Sequence, residues 1–194
     1  MADNTPYDYA DICEYIDREA IRDVLYRYAR GIDRCDVELL RGVYWPDAID
    51  DHMAFVGKPE EFIAWVMSIL GTMSVTQHFI GNILIRLEGT SAQVEAYFDA
   101  RHRMEADGKP ARDFVMAGRY LDRMEKRQNE WRVAHRVVVF DFLREYDDSG
   151  DWTNPKNFPA PERRVLGQRT PHDPSDALFG GSLMRAPFSG TRRA

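Results

Sequence analysis

Apolar positions along the chain recur with two different periods. From Asp17, read as an N-cap, the run DREAIRDVLYRYARGIDRCD puts Ile21, Leu25, Tyr28 and Ile32 on one helical stripe, with Val24 and Ala29 beside it. Arg18, Arg22, Arg27 and Arg30 occupy the other faces. DVELLRGVYW predicts a second, short helix closed by Trp45-Pro46-Asp47. Residues 51–56 read as a short strand, and a third helix runs over about 60–70 until Gly71 stops it. Beyond that point the period falls to two. Residues 76–87, 92–104, 114–125 and 131–146 are strand candidates separated by the turn-like LEGTS, EADGKPAR and KRQNE. In the second of these Val94, Ala96, Phe98, Ala100, His102 and Met104 share one face. Gln93, Glu95, Tyr97, Asp99, Arg101 and Arg103 share the other, so one side is covered and one is wet. Helices followed by a strongly curved antiparallel meander give an α+β domain, its sheet wrapped around the long first helix. Such a sheet encloses a concave, apolar pocket.

The composition changes near Asp147. Six of the ten prolines and five of the thirteen glycines lie in 147–194, a stretch read as unable to sustain helices or central strands. The division expected is a body over 1–146 and an extended tail over 147–194. That tail lies over its own body or a neighbouring subunit, with its far end, PFSGTRRA, disordered. A length of 194 residues, 44% of them hydrophobic and 30% charged, fits one globular domain with an extension. The excess of 32 acids over 26 bases argues against nucleic-acid binding, which needs a basic face. The apolar run at 63–70 is too short to span a bilayer. MADNTPYDYADICEY carries acids where a secretory signal needs bases, so a cytoplasmic protein with no membrane partner is expected. Cys13 and Cys35 lack CxxC spacing and read as reduced thiols.

Four polar residues sit where the pattern is otherwise apolar. Asp33 continues the stripe of the first helix, so it either meets a donor under the sheet or turns outward to cap the turn at Cys35-Asp36. His78, in VTQHFIGN, shares a strand face with Ile80 and Asn82, where it is either a satisfied core histidine or a base. His102 lies on the covered face of its strand and needs partners for its ring nitrogens. Arg136 shares a face with Ala134 and Val138, and its charge must be paired in a pocket or at a subunit contact. A carboxylate beside an imidazole fixes its tautomer and stabilises the imidazolium, while a cation opposite stabilises a developing oxyanion. Elimination and enolisation need no more than these parts. No dinucleotide, P-loop, HExxH or GxSxG motif occurs, and His52, His78 and His102 are each isolated on separate strands, so neither metal nor cofactor is expected.

The helix IRDVLYRYARGIDRCD, the following WPDA, VTQHFIGN and NEWRVAHR together resemble the SnoaL-like branch of the nuclear-transport-factor-2-like superfamily over about 12–146. Within it the pattern is similar to cofactor-independent lyases: scytalone dehydratase, lindane dehydrochlorinase and bile-acid 7α-dehydratases. The resemblance implies a cone-shaped α+β barrel, a curved antiparallel sheet wrapped around the N-terminal helices, frequently a homotrimer (or a dimer), and an Asp–His dyad formed by Asp33 and His78. It also implies supporting roles for Tyr28, His102 and Arg136 in holding substrate oxygens or assisting the leaving group. Asp50, Asp51 and His52 depart from it, standing where the dehydratases carry a pocket tyrosine or tryptophan. The substrate implied is hydrophobic and hydroxylated, aromatic or polycyclic, and the superfamily also includes lyases that release formaldehyde from lignin-derived diols. The pocket residues expected are His52, Tyr44, Trp65, Phe98, Phe114 and Tyr120. Two other readings remain: an isomerase of the ketosteroid-isomerase type, and a non-catalytic ligand-binding module.

Overall fold

The computed structural model describes residues 8–105, 111–147 and 165–179. Helices α1 (Tyr9–Arg34) and α2 (Val37–Arg41) precede strands β1 (Tyr44–Asp51) and β2 (Val56–Gly57). Helix α3 (Pro59–Leu70) leads into four long strands, β3 (Met73–Glu88), β4 (Ser91–Met104), β5 (Arg112–Arg127) and β6 (Glu130–Asp147). A last helix, α4 (Pro174–Leu178), lies beyond them. One sheet holds six strands in the order β2-β1-β6-β5-β4-β3.

The α+β class is as expected, with two corrections to the sheet. β1 runs parallel to β6, so the sheet is mixed. It is also open: β3 forms one edge, and the other is β2, whose two residues give way to α3 too soon to zip up a barrel. Curvature comes instead from irregular register. β5 and β6 shift between Ala117 and Gly118 and again between Arg123 and Met124. At Gly118 a Cβ would stand 1.9 Å from the carbonyl oxygen of Val139, so only glycine lets the two backbones close there.

α1 is longer than its apolar stripe. Its cap is Asp8, which accepts from the amide of Asp11 at 2.9 Å, while Asp11 accepts from the amide of Asp8 at 3.2 Å. The first turns expose Tyr9, Ile12, Tyr15 and Ile16, so no buried face marks them in the pattern. Asp17, expected at the start, is inside the helix and accepts from Lys126 Nζ at 2.7 Å and Trp131 Nε1 at 2.9 Å. The stripe itself behaves as read: Ile21, Val24, Leu25, Tyr28 and Ile32 join a core with Val94, Ala96, Phe98 and Val133. Each such aliphatic residue contributes about 1.5–3 kcal/mol by burial.

Other boundaries move for local reasons. Gly42 ends the second helix, and Trp45-Pro46-Asp47 lies inside β1, where the pairing with β6 breaks between Tyr44 and Ile49. β3 and β4 slip between Ile80 and Ile83, which turns Asn82 outward, away from the face of His78. Arg103 belongs to the polar face by alternation but is buried, paired with Asp113 at 3.1 Å. The tail does sustain a helix, because Pro174 stands in its first turn, where no amide donor is needed, and Asp173 caps it. Residues 165–179 lie on the chain's own α1; PFSGTRRA falls outside the described residues. No helix among the described residues is long and apolar enough to cross a membrane.

Candidate active site

The end of α1 is built so that Asp33 turns inward. Cys35 takes a left-handed conformation (φ 52°) and stops the helix, and the amide of Asp36 returns to the carbonyl of Gly31 at 2.9 Å. Asp36 caps α2 by accepting from the amide of Leu39 at 3.0 Å, which leaves Asp33 free of that duty. Asp33 instead meets His78 twice. Its Oδ1 pairs with Nδ1 at 2.8 Å, and its Oδ2 accepts from the His78 backbone N–H at 2.8 Å. A carboxylate only accepts, so Nδ1 carries the proton and Nε2 holds the lone pair.

His78 lines a cavity of about 230 Å³ between α1, α3 and the concave face of the sheet. Tyr28, His52, Trp65, Phe98, His102, Phe114 and Tyr120 also face it, along with Ile69, Met116 and Phe140. His102 meets His78 edge to face at a centroid distance of 5.5 Å and stacks on Phe114 at 4.4 Å. Its Nδ1 is buried without a hydrogen-bond partner among the described residues. Burial, and then the neighbouring His78, push His102 down to about 4, so it is a neutral wall at ordinary pH. No group of three or more His, Cys, Asp or Glu among the described residues is arranged to hold a metal ion.

Two residues read as facing the pocket, Tyr44 and Arg136, lie one layer behind its wall. β1, β6 and β5 bring Asp50, Arg136 and Asp122 into register on the inner face. Asp122 accepts from Nε and Nη2 of the guanidinium, each at 2.7 Å, and all three side chains are buried. The Arg136 guanidinium stacks over Tyr28 at 4.1 Å and Tyr120 at 4.2 Å, so it holds the rings that face the cavity rather than facing it itself. Tyr44 donates to Asp50 at 2.6 Å, Asp50 pairs with His52 Nδ1, and His52 Nε2 meets the Tyr28 hydroxyl at 3.3 Å. His52 stacks on Phe62 at 4.6 Å. Sequence reasoning missed Asp122, although strict alternation from Tyr120 to Met124 places it on the covered face.

It also missed Arg169, for which an aperiodic segment gives no signal. Arg169 reaches under the end of α1 and donates to the carbonyl of Asp33 and to Thr76 Oγ1, the latter at 2.6 Å. It further donates to the carbonyls of Leu70 at 3.3 Å and Met73 at 3.2 Å. Asp173 pairs with Arg34 at 3.1 Å and Asp176 with Arg30 at 2.9 Å, fixing the segment to α1.

Residues 14–137 match the SnoaL-like domain family. An uncharacterized protein of Mycobacterium tuberculosis is 26% identical over 129 residues, covering 65% of this chain and 86% of the relative. Among solved structures, the hexachlorocyclohexane dehydrochlorinase of Novosphingobium barchaimii superposes with TM-score 0.64 at 16% identity, over 73% of this chain and 96% of that one. A Novosphingobium aromaticivorans protein assigned as a scytalone dehydratase gives 0.62 at 20% identity, over 69% and 89%. At these identities the structural likeness speaks for the fold.

Proposed function

Because the chain belongs to the SnoaL-like domain family, we propose that it is a cofactor-independent lyase in which His78 is the general base and Asp33 its orienting partner. The observation that carries this reading is the double contact of Asp33 with His78 at the wall of a largely aromatic cavity. Nε2 takes a proton from a carbon activated by a neighbouring electron-withdrawing group. Asp33 stabilises the imidazolium, the electron pair forms a double bond, and a group on the adjacent atom departs. The His78 side chain is only 9% exposed, and this burial strengthens these interactions. The dehydrochlorinase and the scytalone dehydratase assignment among the structural neighbours support elimination as the reaction type.

Cavity size narrows the substrate. An engineered cavity of about 150 Å³ takes benzene, so about 230 Å³ holds one substituted aromatic ring more comfortably than a polycycle. Exposed apolar residues on the strands, among them Val75, Phe79, Leu84 and Phe142, support the homo-oligomer that the family resemblance implies.

Turnover of a nitrobenzisoxazole tests the base directly, since its ring opens by loss of one carbon-bound proton and release of a coloured phenolate. Wild type should accelerate that opening, and His78→Ala should lose about 10²–10⁴ of the rate while keeping its circular dichroism. Equal rates in the two proteins would remove His78 from the mechanism.

A further inference from the structure

The cavity has a second imidazole–carboxylate pair, on the wall away from Asp33. We propose that Asp50, His52 and Tyr28 form a proton-delivery arm that protonates a departing oxygen while His78 removes the carbon-bound proton. This rests on the elimination reading above and adds to it a substrate class: molecules whose leaving group is a hydroxyl or alkoxide, which needs a proton, rather than a halide, which does not.

Geometry supplies the path. Asp50 is fully buried and holds two partners, the Tyr44 hydroxyl on Oδ2 and His52 Nδ1 on Oδ1. That chain reaches the cavity through His52 Nε2, which lies 3.3 Å from the Tyr28 hydroxyl. Both His52 and Tyr28 line the cavity. The Tyr28 ring is fixed between the Arg136 guanidinium at 4.1 Å and the edge-packed Tyr120 at 5.3 Å. Burial pushes the Tyr28 phenol up, with Arg136 pulling it only part of the way back, so the hydroxyl keeps its proton at neutral pH.

The charge count on the two walls differs in the required sense. Behind His52 stand two buried carboxylates, Asp50 and Asp122, and one guanidinium, Arg136. A proton on His52 brings that cluster to neutrality. Around His78, the Arg169 guanidinium stands at the backbone carbonyl of Asp33, and Arg34 pairs with Asp173. His102 across the cavity is neutral. The arm works from the imidazolium of His52 and the base from the free Nε2 of His78, the division of labour that an acid and a base require. In the elimination step the C–H proton goes to His78 and its electron pair becomes the new double bond. The C–O bond breaks, its oxygen takes the Tyr28 proton, and His52 restores that proton to Tyr28. Water or an alcohol leaves, and exchange with solvent returns a proton to His52 and removes one from His78.

A series of benzisoxazoles with phenolate leaving groups from weakly to strongly basic tests the arm. In wild type the rate should depend only shallowly on leaving-group basicity. In His52→Gln the nitro compound should lose less than about threefold, while the unsubstituted compound, with the most basic leaving oxygen, should lose about 10²-fold. His78→Ala should depress every member alike. If His52→Gln lowers all members equally or not at all while His78→Ala abolishes turnover, the arm is refuted and the base stands. If His78→Ala changes nothing, or wild type turns over no member, the elimination reading fails and the arm with it. Should His52→Gln not fold, Asp50→Asn, which keeps the imidazole on Phe62, makes the same comparison.

Discussion

Replacing Asp33 with asparagine isolates one proton. The side chain keeps its shape, so packing is preserved, but one of its two oxygens becomes an NH₂ group. The backbone N–H of His78, 2.8 Å from Oδ2, can only donate, so the amide oxygen must face it. That leaves the NH₂ opposite Nδ1, which was 2.8 Å from Oδ1. Nδ1 must then accept, the ring proton moves to Nε2, and the cavity-facing nitrogen has no lone pair to offer. The expected cost is the whole contribution of the base, about 10²–10⁴ in rate. In a serine protease triad the same exchange of Asp for Asn costs about 10⁴ by the same tautomer argument. Folding should suffer by no more than about 1–2 kcal/mol, the difference between a charge-assisted and a neutral hydrogen bond. Nitrobenzisoxazole opening followed by absorbance gives the rate, and nitrogen-15 NMR of the imidazole reports which ring nitrogen is protonated. A variant within about threefold of wild type, or one that keeps the Nδ1–H tautomer and still loses activity, would show that Asp33 does not act by orienting His78.

Two further outcomes follow from groups packed around the cavity and the end of α1. An unfolded imidazole titrates near 6.5 and His102 in the fold near 4, so between those values the unfolded chain binds the extra proton. Stability is thus fully present above about pH 6.5 and declines as pH falls towards 4, by about 3 kcal/mol from this residue; urea unfolding at pH 7 and pH 4.5 should show His102→Phe losing about 2–3 kcal/mol less than wild type across that interval. Arg169→Ala strips donors from the Asp33, Leu70 and Met73 carbonyls and from Thr76. It should cost about 1–3 kcal/mol of stability and lower kcat on the benzisoxazoles with KM nearly unchanged, whereas an unaltered kcat would reduce Arg169 to a surface strap.

Where the chain's pattern is strong, the sequence and the structure agree closely. α3 and the four long strands have one covered face each, and that alternation locates them to within a few residues. The stripe from Ile21 to Ile32 likewise identifies the inner face of α1, while its first turns, which bury nothing, leave no trace. β1 was obscure because Pro46 and a register break interrupt its alternation. Parallel pairing of β1 with β6 joins residues some ninety positions apart, and no local pattern records such a partner. For the site, the inward aspartate and the strand histidines stand out as polar residues at apolar positions. What sequence cannot supply is layering: Arg136 and Tyr44 occupy covered positions just as His78 does, yet a second shell of side chains separates them from the cavity. Arg169 acts through three carbonyls and a hydroxyl, groups that almost any residue order would provide.

The segment around Arg169 also sets an order of events during synthesis. Asp33 and His78 leave the ribosome early, and the sheet that encloses them is complete at Asp147. The guanidinium that ties the Asp33 carbonyl to the start of β3 is translated only afterwards. The end of α1 and the start of β3 are thus fastened together late in synthesis, by the part of the polypeptide with the least regular pattern.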